Sequence, residues 1–524
     1  MLALAVLAAA CTATSTTSTS SSAIDADPAP TAVPTQEPTA AAIPTATAVP
    51  PTPSATPEPT AAPEPTATPE PTATPEPLVA SLDEALALSS IADTPCPADV
   101  AADRVSCSIA TLPLDAADPQ PGETVELLVA QVDNGDPQGI GPVIFLQGGP
   151  GVGSVQLAPR FVGAGHDVLF VDQRGTGRSE PKLDCPELDE LFEVGLSADP
   201  ATRALNTSNV YDDAFGSCHA RLVAEGVAFE HFNTAAVAAD FSLLRRLLAI
   251  EEWAIWGISY GTRVGLTMMR DHPEGIRAAV LDSVVPFEVD FFATIPENAV
   301  GSMAALDQAC DAGRCATDHG AFFENVAALA QRLDASPVII EATRFGTGET
   351  FPLRVDGQQL INMVFIQLYS TSALESLPRQ IARPDNGGLD ELVASYILRQ
   401  DPNRVDLAVA LYYTTWCREE FPFYDDTVDD AFLVESAELF GDTVENALSS
   451  DGLEQYCDTF GVPASDARDD EPITSDIPTL VFAGAFDPIT PPAWSRQVAD
   501  ALGNATFVEM PDHGHGMSLS LIHI

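Results

Sequence analysis

Short apolar runs punctuated by glycine, proline and charge recur from Thr124 to Leu281. Thr124–Asp133 alternates apolar and polar positions, as an antiparallel edge strand does, whereas Pro142–Leu146, Asp167–Val171, Trp253–Trp256 and Ala278–Leu281 are consecutively apolar, the mark of strands buried on both faces. Helical spacing separates them. It runs through Ser81–Ser90 (Leu82, Ala85, Leu88), Ala220–Glu230, Thr234–Leu248 (Ala238, Phe241, Leu244, Leu248) and Thr262–Arg270. The same alternation returns near the end, with strands at Pro478–Ala483 and Thr506–Met510 around a helix at Val498–Leu502. Strands joined by crossover helices predict an α/β fold: a mostly parallel sheet covered on both faces.

Between Pro286 and Pro478 the pattern is mainly helical, at Gly301–Ala309, Ala321–Leu333, Gly357–Ser370, Asp390–Leu398, Arg404–Trp416 and Thr427–Phe440. Large insertions survive in loops on the ligand face of such sheets, so residues 287–477 are expected to form a cap between the two parts of the core, 78–286 and 478–524.

The first residues contribute to neither. Residues 1–11 are apolar and end at Cys11, too short for the roughly 20 residues a membrane-spanning helix needs. They read as the hydrophobic part of an export signal, similar to a bacterial lipobox with Cys11 as the lipidated residue, although Ala8 stands where leucine is usual and no basic residues precede. Residues 12–77 repeat Pro-Glu-Pro at Pro57, Pro63, Pro69 and Pro75 among threonine and alanine, a composition that offers too little apolar area to offset chain entropy. Such a stretch predicts an extended tether behind a membrane anchor. Plain secretion is the alternative.

Nine cysteines less Cys11 leave eight, an even set that behind an export signal predicts disulfides. Pairing neighbours in order gives 96 with 107, 185 with 218, 310 with 315 and 417 with 457, each closing a local loop. With no C-x-x-C and no histidine cluster nearby, the cysteines give no reason to expect a metal or other cofactor. Acidic residues outnumber basic ones 76 to 23, a surface that repels nucleic acid and favours salt.

The chemistry sits at strand ends. Gly257-Ile258-Ser259-Tyr260-Gly261 joins an apolar strand to a helix, the context in which a G-x-S-x-G serine is lifted clear of its neighbours as a nucleophile. A serine needs a base, and the base a third group to fix its tautomer. His515, between two glycines, is the candidate base in preference to His513. Asp487 is the candidate acid and Asp282, also at a strand end, its rival. The backbone N–H of Tyr260 and one from Gly148-Gly149 are placed to meet an oxyanion. Gly175-Thr176-Gly177 lacks the third glycine of a dinucleotide site, and Asp172 and Arg174 beside it read as braces for the site loops.

Taken together, GGPG at 148–151, DQRGTGRS at 172–179, GISYGT at 257–262, FDPITP at 486–491 and GHG at 514–516 resemble, in order, the motifs of α/β-hydrolase serine peptidases of the proline iminopeptidase and tripeptidyl aminopeptidase family. Gln147 stands where that family usually has histidine, a departure typical of its secreted tripeptidyl branch. The resemblance implies cleavage near the free N-terminus of peptides or oligopeptides, with cap carboxylates reading the ammonium group. Glu419 and Glu420 are the candidates for that role, against a reading as surface charges. It also implies a closing helix after His515, where residues 517–524 stand. A carboxylic ester hydrolase of the same fold and a catalytically inert surface binding protein are the competing readings.

Overall fold

The computed structural model describes residues 79–135, 141–203, 208–315, 321–344, 347–400, 406–425, 439–441, 443–448 and 453–521. The export segment with Cys11, the tether and all but the end of the run Thr427–Phe440 lie outside them.

Among the described residues nine strands form one sheet: β1 Ser90–Thr94, β2 Val105–Pro113, β3 Thr124–Val132, β4 Val143–Leu146, β5 Val168–Val171, β6 Trp253–Ile258, β7 Ile276–Asp282, β10 Thr479–Gly484 and β11 Ala505–Met510, with β8 Val338–Thr343 and β9 Thr350–Val355 in the insertion between β7 and β10. Across the sheet the nine lie in the order β1-β2-β3-β5-β4-β6-β7-β10-β11. From β5 across to β11 every pairing is parallel, while β1, β2 and β3 extend the sheet antiparallel. β4 and β5 are the most enclosed: Ile144, Phe145, Leu146 and all four residues of β5 are buried. One apolar cluster covers one face, with Leu127, Val129, Ile144, Leu169 and Ile255. The other face carries Leu128, Phe145, Phe170 and Ile258, with Phe145, Phe161, Phe170 and Trp256 in edge and tilted ring contacts.

The order of the central strands matters for function. From β4 the chain crosses to β5 on one side, then returns past β4 to β6 on the other. Loops leaving β4 and β6 therefore diverge, and open α/β sheets bind ligands in the crevice this leaves at the strand carboxyl ends.

β3 is antiparallel as expected but not an edge, since β1 and β2 lie outside it. Alternation reports which faces of a strand are buried, and is blind to what pairs with its sides. The helix expected at Ala220–Glu230 runs earlier, over Ser208–Ala224, with Gly226 left-handed just beyond its end. The one expected at Val498–Leu502 begins at Pro492.

Between β7 and β10 the described insertion is mainly helical, including Ile295–Asp311, Phe322–Ala335, Gly357–Leu368, Gly388–Gln400, Val409–Glu419 and Leu453–Phe460. It also holds an antiparallel hairpin, β8 Val338–Thr343 with β9 Thr350–Val355, whose first strand is largely exposed and so carries no apolar alternation to read. Backbone hydrogen bonds fasten the insertion to core loops: Ala408 N–H donates to the Gly151 carbonyl at 2.9 Å, Ala410 N–H to Leu183 at 3.0 Å, and His515 N–H to Tyr369 at 3.0 Å.

Among the described residues four disulfides form, each between cysteines adjacent in sequence order: Cys96–Cys107, Cys185–Cys218, Cys310–Cys315 and Cys417–Cys457. The last ties helix Val409–Glu419 to helix Leu453–Phe460. No described helix is long and apolar enough to cross a membrane.

Candidate active site

The turn after β6 is built around two glycines that could be nothing else. A Cβ on Gly261 would stand 1.9 Å from the Leu146 carbonyl oxygen, and one on Gly257 would stand 2.5 Å from the carbonyl oxygen of Gly261. So close a crossing bends Ser259 into φ 56°, ψ −130°, a region costly for any residue with a side chain, by about 1–3 kcal/mol. Hydrogen bonds hold the strain in place. Ser259 N–H donates to Asp282 O at 3.0 Å, and Thr262 Oγ1 donates to Ser259 O at 2.6 Å while accepting from Val285 N–H at 3.0 Å. Helix Tyr260–Asp271 starts immediately afterwards, and its first N–H groups have no carbonyl inside the helix to bond.

The loop after β4 lies against this turn. A Cβ on Gly148 would come within 2.9 Å of Ser259 Cβ and 3.4 Å of its Oγ, so the Gly148 backbone sits directly on the serine. Gly149, at φ 126°, then turns the chain through a cis peptide to Pro150. Asp172 secures the far end of the loop, accepting from Ser154 N–H at 2.7 Å, Val155 N–H at 2.9 Å and Arg178 N–H at 2.9 Å. Burial raises the Asp172 carboxyl above its usual range against these donors. Arg174 turns away to pair through two nitrogens with Asp240, at 2.7 and 2.6 Å. Both are braces, but to different partners.

At the carboxyl ends of the same sheet, the loops after β10 and β11 bring Asp487 and His515 together. His515 Nδ1 lies 2.8 Å from Asp487 Oδ2, and neither side chain is accessible to solvent. Thr490 completes the cradle: its Oγ1 donates to Asp487 Oδ2 at 2.7 Å, and its N–H, with that of Ile489, reaches Oδ1 at 3.0 and 3.1 Å. Burial would raise the Asp487 carboxyl, but His515 and these donors outweigh it and hold the group below the ordinary carboxylate range. A carboxylate on Nδ1 fixes the tautomer that leaves Nε2 as an acceptor, and among the described residues Nε2 is buried with no hydrogen-bond partner.

Asp282, the rival acid, is used otherwise. It accepts from Ser518 N–H at 2.6 Å and from Ser283 Oγ at 3.2 Å, anchoring the chain just beyond His515. Burial pushes its carboxyl up, the opposite of Asp487.

Glu419 and Glu420 are not surface charges: they are 5% and 6% exposed. Glu419 accepts from Thr234 N–H at 2.7 Å and Thr234 Oγ1 at 2.6 Å, with Arg263 Nε at 3.5 Å. Glu420 pairs with the Arg263 guanidinium and accepts from Phe291 N–H at 3.4 Å. Each carboxylate oxygen therefore already has a protein partner, and a peptide ammonium reaching either would share the carboxylate with it. Sequence gave no sign of Arg263, Thr234 or Thr490 as partners, since an arginine or threonine inside a helical or loop pattern carries no periodic signal. The one described grouping of metal-ligand types, Cys185, Glu187 and Cys218, has its two sulfurs joined to each other and so offers no thiolate.

Residues 141–312 match a family model described as alpha/beta hydrolase fold, and residues 443–521 one described as TAP-like protein. The chain is 30% identical over 151 residues to the "Probable proline iminopeptidase" of Streptomyces coelicolor, covering 29% of this chain and 34% of that protein. It is 28% identical over 197 residues to the tripeptidyl aminopeptidase of Streptomyces lividans, covering 34% and 35%, and 27% identical over 197 residues to the serine protease Hip1 of Mycobacterium tuberculosis, covering 35% and 36%. The matches thus span about a third of each relative's length. A thermophilic esterase from Thermogutta terrifontis aligns over 77% of this chain and 93% of its own at 15% identity, with a TM-score of 0.30, too loose to bear on function. Sheet order, serine turn and matched segments agree: the chain has an α/β-hydrolase fold and is similar in sequence to the serine peptidases of the proline iminopeptidase and tripeptidyl aminopeptidase group.

Proposed function

We propose that the protein is an extracytoplasmic serine exopeptidase that hydrolyses peptide bonds near a free peptide N-terminus through an acyl-enzyme. The observation that carries this is the His515 imidazole, fixed at Nδ1 by Asp487 and left open at Nε2, on the same sheet edge that presents Ser259. Ser259 Oγ attacks the carbonyl carbon as His515 Nε2 takes its proton, and Asp487 stabilises the imidazolium without itself taking a proton. The N–H groups of Tyr260 and of Gly148 or Gly149 receive the oxyanion, each worth about 3–4 kcal/mol in comparable sites. His515 returns the proton to the leaving amine, and water repeats the sequence on the ester.

Peptides are the favoured substrates because the named relatives are peptidases. Four disulfides and the export-like start support a location outside the cytoplasm, with lipidated Cys11 and residues 12–77 as a membrane tether. The cap carboxylates Glu419 and Glu420 would read the ammonium group with the acceptor sites that their bonds to Thr234, Arg263 and Phe291 leave.

The test is hydrolysis of Pro-, Ala- and Ala-Ala-Pro-p-nitroanilide with their N-acetylated forms, beside Ser259→Ala. Free but not acetylated peptides should be cleaved, and Ser259→Ala should lose on the order of 10^4-fold or more in kcat. Turnover of acetylated peptides at equal rates would sink the exopeptidase assignment, and labelling of the alanine variant by a fluorophosphonate would sink Ser259 as nucleophile.

A further inference from the structure

Three buried elements meet behind the serine turn: the end of cap helix Val409–Glu419, the start of helix Thr234–Leu247, and helix Tyr260–Asp271. Their contact is a chain of hydrogen bonds. Tyr260 OH and Thr234 Oγ1 are 2.8 Å apart, and Thr234 Oγ1 is 2.6 Å from Glu419 Oε2. The direction of the protons follows from the donors present. Thr234 N–H and Thr234 Oγ1 both donate to Glu419, whose charge is balanced by the Arg263 guanidinium with Nε 3.5 Å away, so the single hydroxyl proton of Thr234 points at Glu419. Thr234 Oγ1 can then only accept from Tyr260, whose phenol is the donor. Burial, with the Glu419 charge beside it, pushes that phenol far up and keeps its proton on at neutral pH. Trp416, one turn before Glu419 on the same helix, packs edge-on against the Tyr260 ring with centroids 5.9 Å apart.

Tyr260 is the residue after the strained serine, and its backbone N–H is the oxyanion donor of the proposed reaction. We infer that Glu419 and Thr234 are positioning residues that fix the Tyr260 side chain, and through it the N–H that receives the oxyanion. The inference rests on the serine-hydrolase reading and deepens it by giving a cap residue a part in the acylation step. A purely local turn would leave the Tyr260 N–H aim to a backbone held at φ 56° one residue earlier. The Tyr260–Thr234–Glu419 chain clamps it from outside, and ties its geometry to the seating of the cap.

The experiment reads acylation without relying on a peptide: turnover of p-nitrophenyl butyrate, and the second-order rate of labelling by a fluorophosphonate, whose phosphoryl oxygen occupies the same hole. Thr234→Val, Tyr260→Phe and Glu419→Gln should each lower kcat and the labelling rate by about ten- to a hundredfold with KM within about threefold, the scale of a misplacement of about 1 Å. Thr234→Ser, which keeps the hydroxyl, should stay within about twofold of wild type, and Thr234→Val/Tyr260→Phe should be no slower than the worse single variant, because one chain is broken once. If Glu419→Gln fails to fold, the two valine and phenylalanine variants carry the test, since both leave the Arg263 ion pairs intact. Folded Thr234→Val and Tyr260→Phe proteins at wild-type rates would overturn the inference, as would losses that multiply in the double variant. Wild-type protein inert to both probes would instead remove the serine-hydrolase reading and this inference with it.

Discussion

The clusters around Asp487 and around Arg263 each combine buried carboxylate with a basic side chain, and they dispose of charge in opposite ways. Around Asp487 one carboxylate meets four donors and its carboxyl is held low, while the base it orients keeps one nitrogen open. Around Arg263 two carboxylates share one guanidinium, and burial raises both, Glu420 to about 7. Every carboxylate there is committed to Thr234, Arg263 or Phe291. Burial and charge alone therefore do not mark the reactive site. What separates the two is an unpaired acceptor in one and a surplus of internal partners in the other.

The largest effect should come from taking the charge out of the first cluster. Asp487→Asn would reverse the tautomer of His515 and lower kcat by roughly 10^4-fold. Asp282→Asn, which only loses its hold on Ser518 and Ser283, should cost no more than about tenfold, a spread of some 4 kcal/mol in barrier between two aspartates on neighbouring strands. Equal losses in single-turnover assays would erase the difference in role between Asp487 and Asp282.

Next comes the guanidinium. Arg263→Met strands two carboxylates in the core, and a loss of about 3–5 kcal/mol in urea unfolding is expected, far more than any exposed pair provides. A variant as stable as wild type would mean that the carboxylates are protonated throughout, and the second cluster would lose its ionic character.

The pH response should separate the clusters by sign. Glu420 ionises near 4.5 in the unfolded chain and near 7 in the folded one, so between these values the native state holds a proton that the unfolded state has released. Its contribution to stability is therefore full below about 4.5 and lost as pH rises through about 7. Asp487 is the reverse: its folded carboxyl lies below the ordinary 3.8, so its contribution is present above that value and lost as pH falls below it. Melting curves of Glu420→Gln against wild type should shift in favour of the variant from pH 5 to pH 8, by a few degrees at most. For Asp487→Asn the deficit should shrink below pH 4. Parallel curves for either pair would contradict the assigned direction.

Salt should have the smallest effect. With 76 acidic against 23 basic residues, added sodium chloride should raise the melting temperature by screening surface repulsion, while the labelling rate, set by groups that solvent does not reach, changes little.

Much of this was legible in the chain because local physics writes it there. Consecutive apolar residues at Val143–Leu146 and Val168–Val171 can only be strands with both faces covered, and the glycines at 257 and 261 admit a backbone crossing no other residue tolerates. The cysteine pairs were readable because each closes a short loop. The exposed hairpin β8–β9 was not, since a strand with little apolar content leaves no period, and β1 and β2 were hidden behind the cysteine-bearing stretch.

Sequence by itself determined the sheet-and-helix alternation, the strained serine turn and the residue types able to form a triad, because each depends on neighbours within a few positions. Only the tertiary structure decided that Asp487 and not Asp282 faces His515, that Gly148 lies on Ser259, and that Glu419 and Glu420 are buried against Arg263. The contacts among them join residues from 28 to 157 positions apart. They are set by strand order and by how loops diverge at a switch in that order, which no local pattern of side chains encodes.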